Sequence, residues 1–251
     1  MLGKKPKRTD KRTLKLARYL KRERLTLPPP ALDWGMQSNY PMYLNDEIGD
    51  CTCASAAHQI ITWNSASGNV APDPSTKDVI AAYSAVSGYD PATGENDEGA
   101  VMLDVLNYWR RTGIGGHKIL AFVEADRTNI VELELATHLF GGLYVGLALP
   151  LEADRQKVWD VTDAEFEGTA TPGSWGGHAV HLDQYDAYGP VIRTWGKRQR
   201  MTWQWLLSYA DEVYCCISTD WIGKSGLAPN GFDLVQLERD IKTVEQLARN
   251  E

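Results

Sequence analysis

Apolar residues recur at helical spacing through the first half of the chain and at strand-like spacing through the second. Ala56, Ile60, Ile61 and Trp63 predict a helix from Thr52 to about Ser65, with Ser65 to Gly68 ending it. Ser75 is placed to cap a second helix running to Val86, and Val101 to Arg111 reads as a third that stops at Gly113. Beyond it the period changes. Lys118 to Val123 reads as a strand, Asn129 to Phe140 as a helix, Gly142 to Leu149 as a buried strand, and Val213 to Ser218 as a further β run. Ala179 to Tyr185 and Pro190 to Trp195 read as two strands around an Asp-Ala-Tyr-Gly turn. A helical lobe followed by a strand-rich lobe predicts an α+β fold with its site in the cleft between the lobes. The stretch from 31 to 50 is turn-rich and reads as a loop crossing a surface. Near the C-terminus, Leu234, Leu237, Ile241, Val244 and Leu247 form one apolar stripe, predicting a helix that packs back on the body.

Three segments follow from these patterns: a basic arm over residues 1–27, a body over 28–225 and a C-terminal amphipathic helix over 226–251. The body divides into a helical lobe at about 31–115 and a β-rich lobe at about 116–225. Pro28-Pro29-Pro30 makes a stiff boundary after the arm.

Charge sharpens that division. The net charge of -7 conceals eleven Lys or Arg among residues 1–24, set against only Asp10 and Glu23, which leaves about -16 for the rest. Such an arm reads either as a solvated tail or as a docking element for an acidic protein surface or nucleic acid. It has no aromatic interleaving and no base-reading motif, which argues against sequence-specific nucleic-acid recognition. No run approaches the roughly eighteen apolar residues of a membrane span, and the start, Met-Leu-Gly-Lys-Lys-Pro-Lys-Arg, has no apolar signal-peptide core. The expectation is a protein that is not secreted through a signal peptide and has no membrane partner. Cys215 and Cys216 are adjacent, and Cys51 and Cys53 are one residue apart, both poor geometries for local bridges. All four read as reduced thiols in a reducing compartment.

Candidate chemistry centres on Asn45-Asp46-Glu47-Ile48-Gly49-Asp50-Cys51. A glycine turn delivers Cys51 to a helix start, where unpaired N–H groups and the helix dipole favour thiolate. A thiol hydrolase also needs a His to move the proton, a group to orient it and donors for the oxyanion. His178 follows the pair Gly176-Gly177 at the head of a strand, whereas His181, three residues on, faces the other side. That parity, and the lack of any Cys-x-x-Cys or His-Glu-x-x-His pattern, argue against a metal site, and no cofactor is expected.

Asp33-Trp34, Asn45 through Ala57 around Gly49-Asp50-Cys51, Gly177-His178-Ala179-Val180 with Tyr185-Asp186, and Thr194-Trp195-Gly196 come in the order of the signatures of papain-like cysteine peptidases, which the chain resembles over roughly residues 31–220. Glu98-Gly99 before the third helix, and Phe140 to Gly146 before the His strand, resemble the intervening segments of that family. The resemblance implies a two-lobed papain-like fold in which Cys51 attacks a peptide or amide carbonyl and His178 shuttles the proton. Asn45 then stands where the family has its oxyanion glutamine, and Trp195 where a tryptophan shields the triad. Thr52 replaces the family's bulky tryptophan after the nucleophile. Arg193 stands at the orienting asparagine and cannot accept a hydrogen bond, so Thr194, Asp183 or Asp186 is left to orient His178. Asp186 has the acceptor chemistry.

The chain also resembles uncharacterised actinobacterial and tailed-phage proteins with the same basic start, proline run and Asn-Asp-x-x-Gly-Asp-Cys motif, which implies a cytoplasmic or virion-associated place. Papain-like enzymes carry a long inhibitory propeptide, and this arm is too short for that domain. Docking of residues 1–27 on an acidic assembly such as a capsid or tail is the expectation instead. Two functions follow from the resemblance: a cysteine peptidase or amidase acting on peptide or protein substrates, and a catalytically degenerate structural protein of a phage virion anchored by the arm.

Overall fold

The computed structural model describes residues 1–20, 27–36, 38–68, 71–222 and 239. In chain order the elements are β1 (Leu32–Asp33), α1 (Cys51–Ser67), α2 (Thr76–Ser87), α3 (Met102–Arg111), β2 (Ile119–Glu124), α4 (Ile130–Phe140) and β3 (Leu143–Leu149). They continue as β4 (Val158–Trp159), β5 (Gly176–Tyr185), β6 (Pro190–Thr194), β7 (Lys197–Met201), α5 (Trp203–Tyr209), β8 (Ala210–Ser218) and α6 (Thr219–Ile222). The α+β class and the division into a helical and a β-rich lobe agree with the sequence patterns. The C-terminal stripe expected over 226–251 lies outside the described residues. Among the described residues no helix is long and apolar enough to cross a membrane.

α1 is buried from Cys51 to Asn64, so it has no solvent face and its small residues are its interface. Cys53, Ala54, Ala56 and Ala57 bring the helix close against β5, with Ala179 on the facing side of the strand. Gly68, at φ 63°, closes the helix by donating to the carbonyls of Asn64 and Ser65. α2 begins in a capping box between Ser75 and Asp78. The sheet runs β2-β8-β3-β5-β6-β7-β4, with β1 paired beside β5. Two cores result. One lies in the helical lobe around Trp63, Tyr83 and Trp109, the other in the β lobe around Phe140, Leu147, Val180, Ile192 and Trp205.

Alternation along β5 and β6 sorts their polar residues. Val180, Leu182 and Ile192 enter the β-lobe core. His181, Asp183 and Arg193 meet α1 and the loop before it in a buried network. Arg193 Nε donates to Asp183 at 2.8 and 3.0 Å, Tyr40 donates its hydroxyl proton to Asp183 at 2.8 Å, and Thr62 bonds His181 Nε2 at 2.9 Å. The Arg193 guanidinium also stacks over the Tyr40 ring at 4.7 Å.

The basic arm is not a separate body. Leu16 and Tyr19 are buried in the β-lobe core, and Lys15 bridges Glu124 at the end of β2. Arg8 pairs with Asp104 at 2.9 Å and Lys7 with Glu124 at 2.6 Å. Within the arm, Leu16–Arg18 forms a single 3-10 turn. The body's own acidic surface takes up these charges.

Arg193 and Asp183 form a buried ion pair, so cutting one partner strands the other charge in the interior. Arg193→Leu should lower unfolding stability by about 3–5 kcal/mol, and Arg193→Leu with Asp183→Leu by clearly less than the sum of the two single changes. Urea denaturation of the three variants checks this.

Candidate active site

Cys51 is the first residue of α1, as the glycine turn predicts, and Asp50 stands at its N-cap. Gly49 lets another backbone approach that turn. A Cβ on Gly3 would lie 1.8 Å from the Gly49 carbonyl oxygen, so the chain passes here only as glycine. The backbone of Ala179, next to His178, and that of Gly3 both favour thiolate at Cys51. Burial outweighs them and pushes the thiol up to about 11. The lowered pKa expected at a helix start is therefore not that of this state, because the thiol, 1% exposed, is under the arm.

His178 lies at the head of β5, fully buried, its ring stacked on Trp195 at 4.5 Å and 15°. Burial lowers its pKa to about 3, so the imidazole is neutral, as is the buried Cys51 thiol. Nε2 bonds the Thr194 hydroxyl at 2.6 Å, and Nδ1 has no hydrogen-bond partner within the chain. That leaves one nitrogen held and the other available for a proton.

Thr194, not Asp186, holds the ring. Asp186 sits at the β5–β6 turn, where it takes the Arg200 guanidinium at 2.9 and 3.0 Å and the Tyr188 N–H at 3.0 Å. The reason is distance along the strand: Asp186 follows the last residue of a ten-residue β5 whose first turn of register holds His178. Arg193 is also away from the ring, on the opposite face of β6 with Asp183. Neither the expected carboxylate nor the feared cation faces His178. Tyr144 donates to the Thr52 carbonyl at 2.9 Å, so the residue after Cys51 is fixed through its backbone.

Trp195 owes its place to a tight turn. Thr194 pairs with Lys197, and the two residues between, Trp195 and Gly196, have φ of 47° and 66°. Positive φ at both central positions is the hairpin geometry usually filled by Asn-Gly. A tryptophan there is strained. Its indole is held between His178 and Trp175, whose ring is 5.6 Å away. β7 after this turn is Lys-Arg-Gln-Arg-Met, which hides its strand character under charge.

Asn45 is buried beside the Cys51 turn, its Nδ2 donating at 3.4 Å to the Ile48 carbonyl and at 3.4 Å to the carbonyl of Met1. A carboxamide N–H is thus aimed at the Met1 carbonyl of the arm. Asp50 is held neutral to about pH 7 by burial.

The segment that supplies that carbonyl runs through the cleft. Ala100 N–H donates to Gly3 at 2.8 Å, Lys4 N–H to Gly177 at 3.1 Å and Lys5 N–H to Ala100 at 3.0 Å. The Met1 amino group donates to the Asn45 carbonyl. Met1 and Leu2 lie at a groove of about 610 Å³ walled by Trp159, Trp175 and Trp195. The arm, too short for a propeptide domain, thus lies along the cleft with its first five residues. All four cysteines are free and buried.

The sequence matches no protein-family model and no curated protein. Solved structures do resemble the fold. Xylellain, a cysteine protease from Xylella fastidiosa, superposes with a TM-score of 0.65 at 16% identity, over 86% of this chain and 96% of that one. A procathepsin B from Trypanosoma congolense gives 0.58 at 12% identity, over 86% of each chain. The Carica candamarcensis cysteine protease CMS1MS2, in complex with E-64, gives 0.52 at 16%, over 76% of this chain and 99% of that one. With helices in one lobe, a sheet in the other and Cys51 at the start of the helix between them, the chain has the papain-like cysteine protease fold.

Proposed function

We propose that the protein is a thiol hydrolase of peptide or amide bonds whose cleft, in the state described, is filled by its own N-terminal residues. One observation carries the reading: the unpartnered Nδ1 of His178 belongs to a ring whose other nitrogen is fixed by Thr194 at 2.6 Å. Such a ring can receive a proton on one side without turning. In the reaction His178 removes the Cys51 proton and the sulfur attacks the scissile carbonyl. The Cys51 N–H and the Asn45 carboxamide receive the oxyanion. The imidazolium then returns its proton to the leaving amine, and water releases the acyl group by the reverse steps. Thr194 orients the ring, and Trp195 covers one of its faces.

The closed cleft explains a neutral pair. Displacing residues 1–5 lets water reach Cys51 and His178, which removes the desolvation that holds one pKa high and the other low. Docking of the arm on an acidic capsid or tail gains no support from this geometry, since Lys4, Lys7, Arg8 and Lys15 are paired within the chain. A structural, catalytically silent shell is the outcome if the cysteine proves inert once uncovered.

Labelling by iodoacetamide against pH separates the two. In the wild type, Cys51 should label slowly at neutral pH, with a midpoint near about 11. In the full chain carrying Gly3→Phe, whose side chain cannot pass Gly49, the midpoint should fall below the roughly 8.5 of a free thiol. His178→Ala in that background should raise it again. A Cys51 no more reactive than Cys215 after Gly3→Phe would sink the hydrolase.

Among the supporting residues, Thr194→Val keeps the shape and removes the hydroxyl. In the Gly3→Phe chain it should lower kcat on a fluorogenic peptide by at least about tenfold with little change in KM, and Asn45→Ala should lower kcat by about a hundredfold. Steady-state kinetics on the two variants measures both.

A further inference from the structure

Lys4 is the feature of the arm that a mere plug does not require. Its side chain is 1% exposed and its ammonium has three acceptors: Asp211 at 2.8 Å, Glu212 at 3.1 Å and the Lys5 carbonyl at 3.3 Å. A lysine is almost never so deeply buried without a site built for it. Three details show that building. Gly146 on β3 has no side chain where the lysine stem passes; a Cβ there would lie 2.3 Å from Lys4 Cε and 2.7 Å from Met102 Sδ. Tyr214 donates its hydroxyl proton to Glu212 Oε2 at 2.9 Å, which leaves Oε1 for the ammonium. Glu212 is itself buried, and the ion pair with the Lys4 ammonium is the interaction that Oε1 makes among the described residues. With the arm out, the pocket is a lysine-shaped channel ending on carboxylates.

Its position gives it a meaning. Lys4 follows Gly3, which packs on the Gly49 backbone two residues before Cys51, and its own N–H is held by the Gly177 carbonyl, next to His178. The backbone rungs on Ala100 and Gly177 are open to any extended peptide in the cleft.

We propose that Gly146, Met102, Asp211 and Glu212 form a lysine-selecting subsite, which binds the side chain of the peptide residue adjacent to the one lying over Cys51. That this peptide is a substrate rests on the hydrolase reading. Selection comes from the carboxylates. An isosteric norleucine fills the channel but strands Glu212 and Asp211 without their cation, whereas lysine satisfies both. The arm closes the cleft by presenting the residue that the pocket selects.

The test has two arms, both on the full chain. For binding, Gly3→Phe with Cys51→Ala is titrated with the pentapeptide Met-Leu-Gly-Lys-Lys and with the same peptide carrying norleucine at its fourth residue, followed by the fluorescence of the cleft tryptophans. Lysine should bind at least about tenfold tighter, and Glu212→Gln should erase the difference. Equal affinities would overturn the subsite. For cleavage, Gly3→Phe with Cys51 intact is given fluorogenic peptides with lysine or norleucine next to the residue bearing the scissile carbonyl. The kcat/KM ratio should favour lysine by a similar factor and collapse in Glu212→Gln, and a ratio near one overturns the proposal. A binding preference without cleavage of any peptide keeps the lysine site and refutes the hydrolase instead. Lys4→Glu, which expels the arm by repulsion from Glu212 rather than by bulk, repeats both measurements, with thermal melting to show that each variant is folded.

Discussion

Everything at the candidate site hangs on one helix packed against one strand. α1 is buried on all sides, which only a run of cysteines, alanines and serine allows at such close approach to β5. A bulkier residue at Ala56 or Ala57 would push the helix off the sheet. The same contact fixes where the helix begins. Its first residue is Cys51, and His178 lies at the head of the strand it packs on, so one packing constraint places both the helix start and the strand head. The Arg193–Asp183 pair, bonded to Tyr40 and through Thr62 to His181, ties the strand to the far end of that helix. Precision at the site is thus inherited from the core.

Much of this was legible because period carries it. The centres of α1 to α4 and of β2, β3, β5, β6 and β8 follow from apolar spacing, and Cys51 and His178 stand out as a helix start and a strand head. What escaped was decided by single-residue register or by charge. Whether Arg193 or Thr194 meets the imidazole depends on which face of β6 each occupies, and that is set by a two-residue turn with a tryptophan in a position usually given to asparagine. β7 is not among the strands that apolar spacing predicts, because Lys197, Arg198 and Arg200 mask the alternation. Asp186 looked suitable by its chemistry alone and lies at the wrong end of the strand.

The arm is the larger lesson. Its composition describes a solvated basic tail, and counting charges cannot distinguish lysines facing water from one sealed among carboxylates. The deciding groups, Gly146, Asp211 and Glu212, are far away in sequence and unremarkable one by one. Only the fold brings glycine, ammonium and carboxylate to the same channel. Once there, they connect the basic segment to the chemistry of the cleft rather than to an outside partner.

Lys4 and Asp211 are 207 residues apart, and the carboxylates they need are placed only when β8 has joined β3. Closing so long a loop is entropically late. Held by backbone rungs and one buried ammonium, the strap can open locally without unfolding either core. The cleft passes through an uncovered stage whenever the molecule assembles or breathes locally. In kinetic terms the latch has a lifetime of its own, set by local opening rather than by global unfolding, and the exposure of Cys51 follows that clock.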